Sequence, residues 1–228
     1  NFERIKSDSI IFVYDIKEDS YNNLWVASYS NGIHKLDRTT GEWTHYSAVT
    51  DKENPIVMAK LTGIFIDNLK RLWLSSEGRG IFLYNYEDDS FLNFSEKDGL
   101  PNNVVYGITD DQLGNLWISC NKGLVAFKPF DFQNQRLYNQ HDGLQSVQFN
   151  YKSSYKSRDG KLYFGGINGF NAFYPKDLLE RKNKVIPQIE ITNLNLLGNT
   201  DKEKEKYILE CINKIGRASC RERVYISV

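Results

Sequence analysis

Short apolar runs, each broken by a cluster of Asp, Asn, Gly or Ser, recur along most of the chain. Val13-Tyr14-Asp15-Ile16-Lys17 alternates as a half-buried strand does, and Leu24-Trp25-Val26-Ala27, Gly32-Ile33-His34-Lys35-Leu36 and Trp43-Thr44-His45-Tyr46 follow it. The intervening Asp19 to Asn23, Ser30-Asn31-Gly32 and Asp37 to Gly41 carry the residues that accept positive φ in tight hairpins. The pattern then repeats. Gly63 to Asp67, Leu72 to Leu74, Gly80 to Tyr84 and Phe91 to Phe94 form a second set, and Val105 to Ile108, Leu116 to Ile118, Gly123 to Phe127 and Arg136 to Tyr138 a third.

The repeat is plainest at an aromatic position. Leu24-Trp25-Val26, Leu72-Trp73-Leu74, Leu116-Trp117-Ile118 and Leu162-Tyr163-Phe164 align, and the aromatics at 25, 73, 117 and 163 are separated by 48, 44 and 46 residues. That period matches the four-stranded blade of a β-propeller and exceeds that of leucine-rich or ankyrin units. The third strand of each set follows a glycine: Gly32, Gly80, Gly123 and Gly169. A single sheet cannot bury both faces, so Trp25, Trp73, Trp117 and Tyr163 are predicted as the structural core between neighbouring blades. Trp43 stands outside this position and has no assigned role.

Composition agrees with strands: of 228 residues, 14% are aromatic and only five are Pro. With 29 basic and 29 acidic residues the net charge is zero, so no basic surplus points to nucleic acid, and no nucleic-acid partner is expected. Asn1 stands where an initiator Met would, no basic-then-apolar leader follows, and the chain reads as an internal piece of a longer protein. Cys120, Cys211 and Cys220 lack metal-ligand spacing and fix no compartment; neither metal nor cofactor is expected. Residues 215–228 lose all periodicity and carry Arg217, Arg221 and Arg223 against Glu222. This stretch resembles a translated sequencing adapter, a non-native tail; setting it aside leaves the rest at net −2 with two cysteines.

Glu18-Asp19-Ser20-Tyr21-Asn22-Asn23-Leu24-Trp25 and Asp110-Asp111-Gln112-Leu113-Gly114-Asn115-Leu116-Trp117 resemble the signature of the two-component-regulator propeller repeat, with Asn22 where Gly is favoured and Lys70-Arg71 departing in the second copy. Asp98-Gly99-Leu100 and Asp142-Gly143-Leu144 resemble its blade-linking segment. The resemblance implies an all-β fold: a partial propeller of about four four-stranded blades over residues 1–175, preceded by a leading strand, Phe2 to Ile5. A charged linker at 176–186 comes next. Pro187 to Leu194 alternates as a strand and resembles the opening of the Y-Y-Y domain, an immunoglobulin-like sandwich whose first strands would occupy 187–213. In that family such regions are periplasmic parts of inner-membrane hybrid histidine kinases, which implies sensing of an oligosaccharide by a homodimer and output to polysaccharide-utilisation genes. The kinase parts are absent, so this fragment is expected to be no enzyme.

Ligand residues do not transfer with the resemblance, because the turns match and the loops do not. In an antiparallel meander the loops between strands two and three share one end with the blade linkers. That end carries Tyr29, Asn31, Glu77, Arg79, Asn121 and Lys122, hydrogen-bonding and aromatic groups suited to a saccharide, with Arg79 and Lys122 suited to a uronic or sulfated one. The plainer alternative is that they are solvated hairpin tips. His34, His45 and His141 lie apart in sequence without a nucleophile or metal pattern, and Asp19, Asp110, Asp111 and Asp159 precede turns, which hairpin capping explains. Two rival functions remain at this level: a propeller lyase or glycosidase, and an interaction scaffold coupled to another output such as a diguanylate cyclase.

Overall fold

The computed structural model describes residues 12–29, 31–46 and 60–179. These form four antiparallel sheets in which each strand pairs with its sequence neighbour. The first holds β1 (Val13–Glu18), β2 (Asn23–Ser28), β3 (Ile33–Asp37) and β4 (Trp43–Tyr46); the second holds β5 (Lys60–Ile66), β6 (Leu72–Glu77), β7 (Ile81–Asn85) and β8 (Ser90–Phe94). The third holds β9 (Val105–Asp110), β10 (Leu116–Cys120), β11 (Gly123–Lys128) and β12 (Asp131–Tyr138). The fourth differs from the expected four-stranded blade: among the described residues it has three strands, β13 (Phe149–Lys156), β14 (Leu162–Gly166) and β15 (Gly169–Phe173). Its first strand occupies residues that the sequence pattern left unassigned.

The glycine before strand three has a steric cause. Gly80 sits at φ +77° and Gly123 at φ +127°, and a Cβ on either would lie 2.1 Å from a carbonyl oxygen of the fourth strand, Phe94 or Tyr138. No other residue can let the chain turn back so close to its neighbour.

Each sheet packs on the next through its recurrent Trp. Trp25, Trp73 and Trp117 are fully buried. Trp25 lies among Leu61, Leu74, Tyr84 and Phe91 of the second sheet, Trp73 among Leu100 of the following linker and Val105 and Ile118 of the third sheet, and Trp117 among Phe149, Leu162 and Phe164 of the fourth. Burial of a large aromatic contributes roughly 3 kcal/mol or more at each interface. Tyr163 departs from the predicted core role. It is half-buried and faces away from the third sheet, because no described sheet follows to cover it; its ring neighbours are Tyr155 and Phe170, both exposed. Trp43 stands partly exposed on β4, opposite Leu36.

The Trp is also tied by a hydrogen bond. Its indole N–H donates to the carboxylate six residues earlier: Trp25 to Asp19 at 2.7 Å, Trp73 to Asp67 at 2.9 Å and Trp117 to Asp111 at 2.8 Å. The other carboxylate oxygen accepts the backbone N–H of Asn23, Arg71 or Asn115 and so closes the hairpin. One buried Asp thus fastens a turn and a core side chain together, which satisfies every donor concerned. The fourth copy has Ser157 at that position and Tyr163 in place of Trp.

The Asp-Gly-Leu linkers are also explained. Ser95 and Asp98, then Asn139 and Asp142, form reciprocal capping boxes on single 3-10 turns that end at Gly99 and Gly143 in the left-handed region. Beyond the fourth sheet the chain enters a one-turn helix, α1 (Pro175–Leu179), whose last carbonyl groups receive the Arg136 guanidinium. The predicted leading strand, most of the linker, the sandwich strands, the adapter-like tail, Cys211 and Cys220 all lie outside the described residues. Cys120 is buried with a free thiol whose pKa burial raises.

Candidate functional site

The innermost strands β1, β5, β9 and β13 line a central channel of 420 Å³. Long side chains cross it. Lys152 of β13 pairs with Asp15 of β1 at 2.9 Å, and Asp15 also accepts the Ile64 N–H of β5 at 2.9 Å. Lower down, Lys156 pairs with Asp110, which accepts the Asn68 N–H at 2.8 Å. Asp110 is therefore no hairpin cap, as its place before a turn suggested; Asp111, one residue on, is the cap. Gly107 of β9 permits the approach of β13, since a Cβ there would lie 2.9 Å from the Ser154 hydroxyl.

At the linker end of this channel the starts of the innermost strands meet the ends of the second strands. Tyr29, after β2, donates its hydroxyl to Glu77 at the end of β6 at 2.6 Å. Its ring stacks on Tyr14 of β1, with centroids 4.9 Å apart and planes 22° apart. Lys60 opens β5 directly opposite Glu77 in register and stands over the Tyr29 ring at 5.6 Å. Across the mouth, Tyr106 of β9 donates to Asn121 and lies against Tyr151 of β13, centroids 5.1 Å apart.

The Glu77 charge is felt on both sides. Hydrogen bonding to Glu77 raises the Tyr29 pKa. Burial first, and then Glu77, raises the pKa of Tyr106 and pushes that of Tyr151 up to about 12. All these phenols are neutral donors at physiological pH, held around one carboxylate.

Of the six residues singled out by loop position, the fold brings Tyr29 and Glu77 into direct contact, with Asn121 joined through Tyr106. Arg79 and Lys122 are exposed at hairpin tips. Asn31 is half-buried, and its carbonyl oxygen lies 2.8 Å from the His45 ring. Sequence reasoning missed Tyr14, Tyr106 and Tyr151. A signal was present: Tyr14 and Tyr106 each lie eleven residues before the recurrent Trp, which places both at the top of an innermost strand.

The histidines converge more than expected. His34 and His45 stack at 4.0 Å with planes 12° apart, on the face of the first sheet away from the second. Burial first, then the neighbouring His45, lowers the His34 pKa to about 4. His141 lies in the turn that Asn139 caps. No group of three His, Cys, Asp or Glu among the described residues is placed to hold a metal ion. No helix among them is long and apolar enough to cross a membrane.

Comparison with known proteins places this architecture. The chain is 29% identical to histidine kinase P4 of Formosa agariphila over 81% of its length, and spans 17% of that protein. The extracellular domain of hybrid two component system BT3049 from B. thetaiotaomicron superposes with a TM-score of 0.66 at 21% identity, over 79% of this chain and 24% of that one. Virginiamycin B lyase from Staphylococcus aureus shares the fold more distantly, with a TM-score of 0.50 and 17% identity over 71% of this chain and 55% of the lyase. The chain thus spans about a sixth of the curated relative and about a quarter of the hybrid-system domain. Residues 8–30 and 99–122 match the two component regulator propeller family model, and the four sheets have the fold of propeller blades.

Proposed function

We propose that this chain is part of the extracytoplasmic, periplasmic sensor region of a hybrid two-component histidine kinase, and that it recognises an oligosaccharide and signals to polysaccharide-utilisation genes. The observation that carries this reading is the pairing of regulator-propeller repeats with a channel mouth of aromatic and polar side chains drawn from four sheets. The likeness to histidine kinase P4 and to the BT3049 extracellular domain supports it. In this reading the fragment binds its ligand without transforming it. Asp19, Asp67 and Asp111 are engaged by turns and indoles, and His34 and His45 stack on each other away from the channel.

Signalling follows if the ligand binds one arrangement of two protomers more tightly than another, because only differential affinity shifts an equilibrium. A thermal-shift screen of the purified chain against a broad oligosaccharide panel tests the reading. A ligand present at 100 times its Kd stabilises the folded state by about 2.7 kcal/mol. A saturable rise in Tm with one glycan class is the expected result; no shift across the panel contradicts it.

A further inference from the structure

Resting on the saccharide-sensor reading, we propose that the tyrosines gathered around Glu77 at the channel mouth are the saccharide subsite, and that this subsite selects neutral sugars over uronic or sulfated ones. The cluster is a product of tertiary structure. Tyr14 and Tyr29 come from the first sheet, Glu77 from the second, Tyr106 from the third and Tyr151 from the fourth, so no single hairpin accounts for it. The hydroxyls of Tyr29 and Tyr106 are spent inward, on Glu77 and Asn121, which fixes both rings. Tyr14, stacked on Tyr29, and Tyr151, tilted against Tyr106, keep 39% and 36% of their surface exposed. Two fixed aromatic platforms flanking a carboxylate suit a pyranose. Its C–H face loses water against a ring while its hydroxyls find a charged acceptor, and rigid tyrosines lose little entropy in the process.

The choice of neutral sugars follows from where the charges lie. Glu77 is at the centre, with Lys60 opposite it across the β5–β6 pair, so the mouth offers one strong acceptor and one strong donor with no surplus charge between them. A sugar carboxylate or sulfate laid on the rings would come up against Glu77. Arg79 and Lys122, the side chains that by sequence favoured an acidic sugar, are exposed hairpin-tip residues with no described contact to the four tyrosines.

The test is calorimetric titration of the 228-residue chain with two sets of tetrasaccharides. The neutral set is cellotetraose, mannotetraose, xylotetraose and galactotetraose; the acidic set is tetragalacturonate, tetramannuronate and a heparin tetrasaccharide. At least one neutral sugar is expected to bind ten or more times more tightly than every acidic one. Tyr14→Ala and Tyr151→Ala should each weaken that binding at least tenfold, and Glu77→Gln should weaken it and narrow the gap between the sets. Tyr14→Phe, which keeps the ring, should bind as the parent does; should Tyr14→Ala fail to fold, Tyr151→Ala and Glu77→Gln still decide. An acidic sugar bound as tightly as the best neutral one, or neutral binding untouched by Tyr151→Ala, overturns this proposal and leaves the saccharide reading standing. Silence in both sets overturns both.

Discussion

The first three sheets and the fourth are copies of one repeat, yet they treat the same position in two ways. Where a following sheet covers it, the residue is a fully buried Trp whose indole donates to an Asp six residues earlier. In the fourth sheet, where no described sheet follows, the pair is Tyr163 and Ser157. Both residues change together for a physical reason. A buried indole N–H left without its acceptor costs several kcal/mol, so a buried Trp here requires the Asp, and where the Trp is absent that requirement lapses. Tyr163 keeps its ring at a half-exposed face, while Ser157 satisfies itself locally, bonding to Asp159 and to the Lys161 carbonyl at 2.9 Å. The residue at a repeat position therefore reports what lies over it.

Trp73→Ala should cost about 3–5 kcal/mol in urea unfolding, against about 1 kcal/mol or less for Tyr163→Ala. Equal losses would mean that the two faces are equally packed. Asp67→Ala removes the acceptor of the Trp73 indole, the Arg71 guanidinium and two backbone N–H groups, and should cost about 2–4 kcal/mol, whereas Ser157→Ala should cost well under 1 kcal/mol.

At the glycine before strand three, Gly80→Ala combines a positive φ with a backbone collision and should cost roughly 2–3 kcal/mol. Gly169→Ala meets nothing within 4 Å and should cost only about 1 kcal/mol of backbone strain. The smallest effect concerns the outward face of the first sheet. His34 is buried neutral with its pKa lowered to about 4, so below the unfolded value near 6.5 the unfolded chain binds the proton first. Stability should therefore be full above about pH 6.5 and fall as pH drops towards 4. His34→Gln should flatten that slope; an unchanged slope would remove His34 from the account.

Much of this fold is legible in the sequence because its signals are local. Period-two runs, Gly before strand three and Asp-Gly linkers each act within a few residues, and the recurring Trp marks the inter-sheet core. The double duty of Asp19, Asp67 and Asp111 is harder to read, since an Asp before a turn already has a sufficient explanation as a cap. Asp110 shows the limit: one residue from the true cap Asp111, it points into the channel, and only the fold tells the two apart. The proposed site is only partly legible. Loop position identifies Tyr29, Glu77 and Asn121, but Tyr14, Tyr106 and Tyr151 sit inside strands, where aromatics are ordinary, and they meet only when four sheets fan around one axis. Arg79 and Lys122 have suitable chemistry but are left at exposed tips.

On the proposed reading the interior Asp–Trp pairs carry the fold while the tyrosine mouth carries the ligand. Its most direct test is the saccharide-induced Tm shift of Glu77→Gln beside that of Asp67→Asn. The account predicts that Glu77→Gln melts as the parent does but loses most of its ligand-induced shift, and that Asp67→Asn melts lower yet keeps the shift. A Glu77→Gln protein that retains the full shift would contradict it.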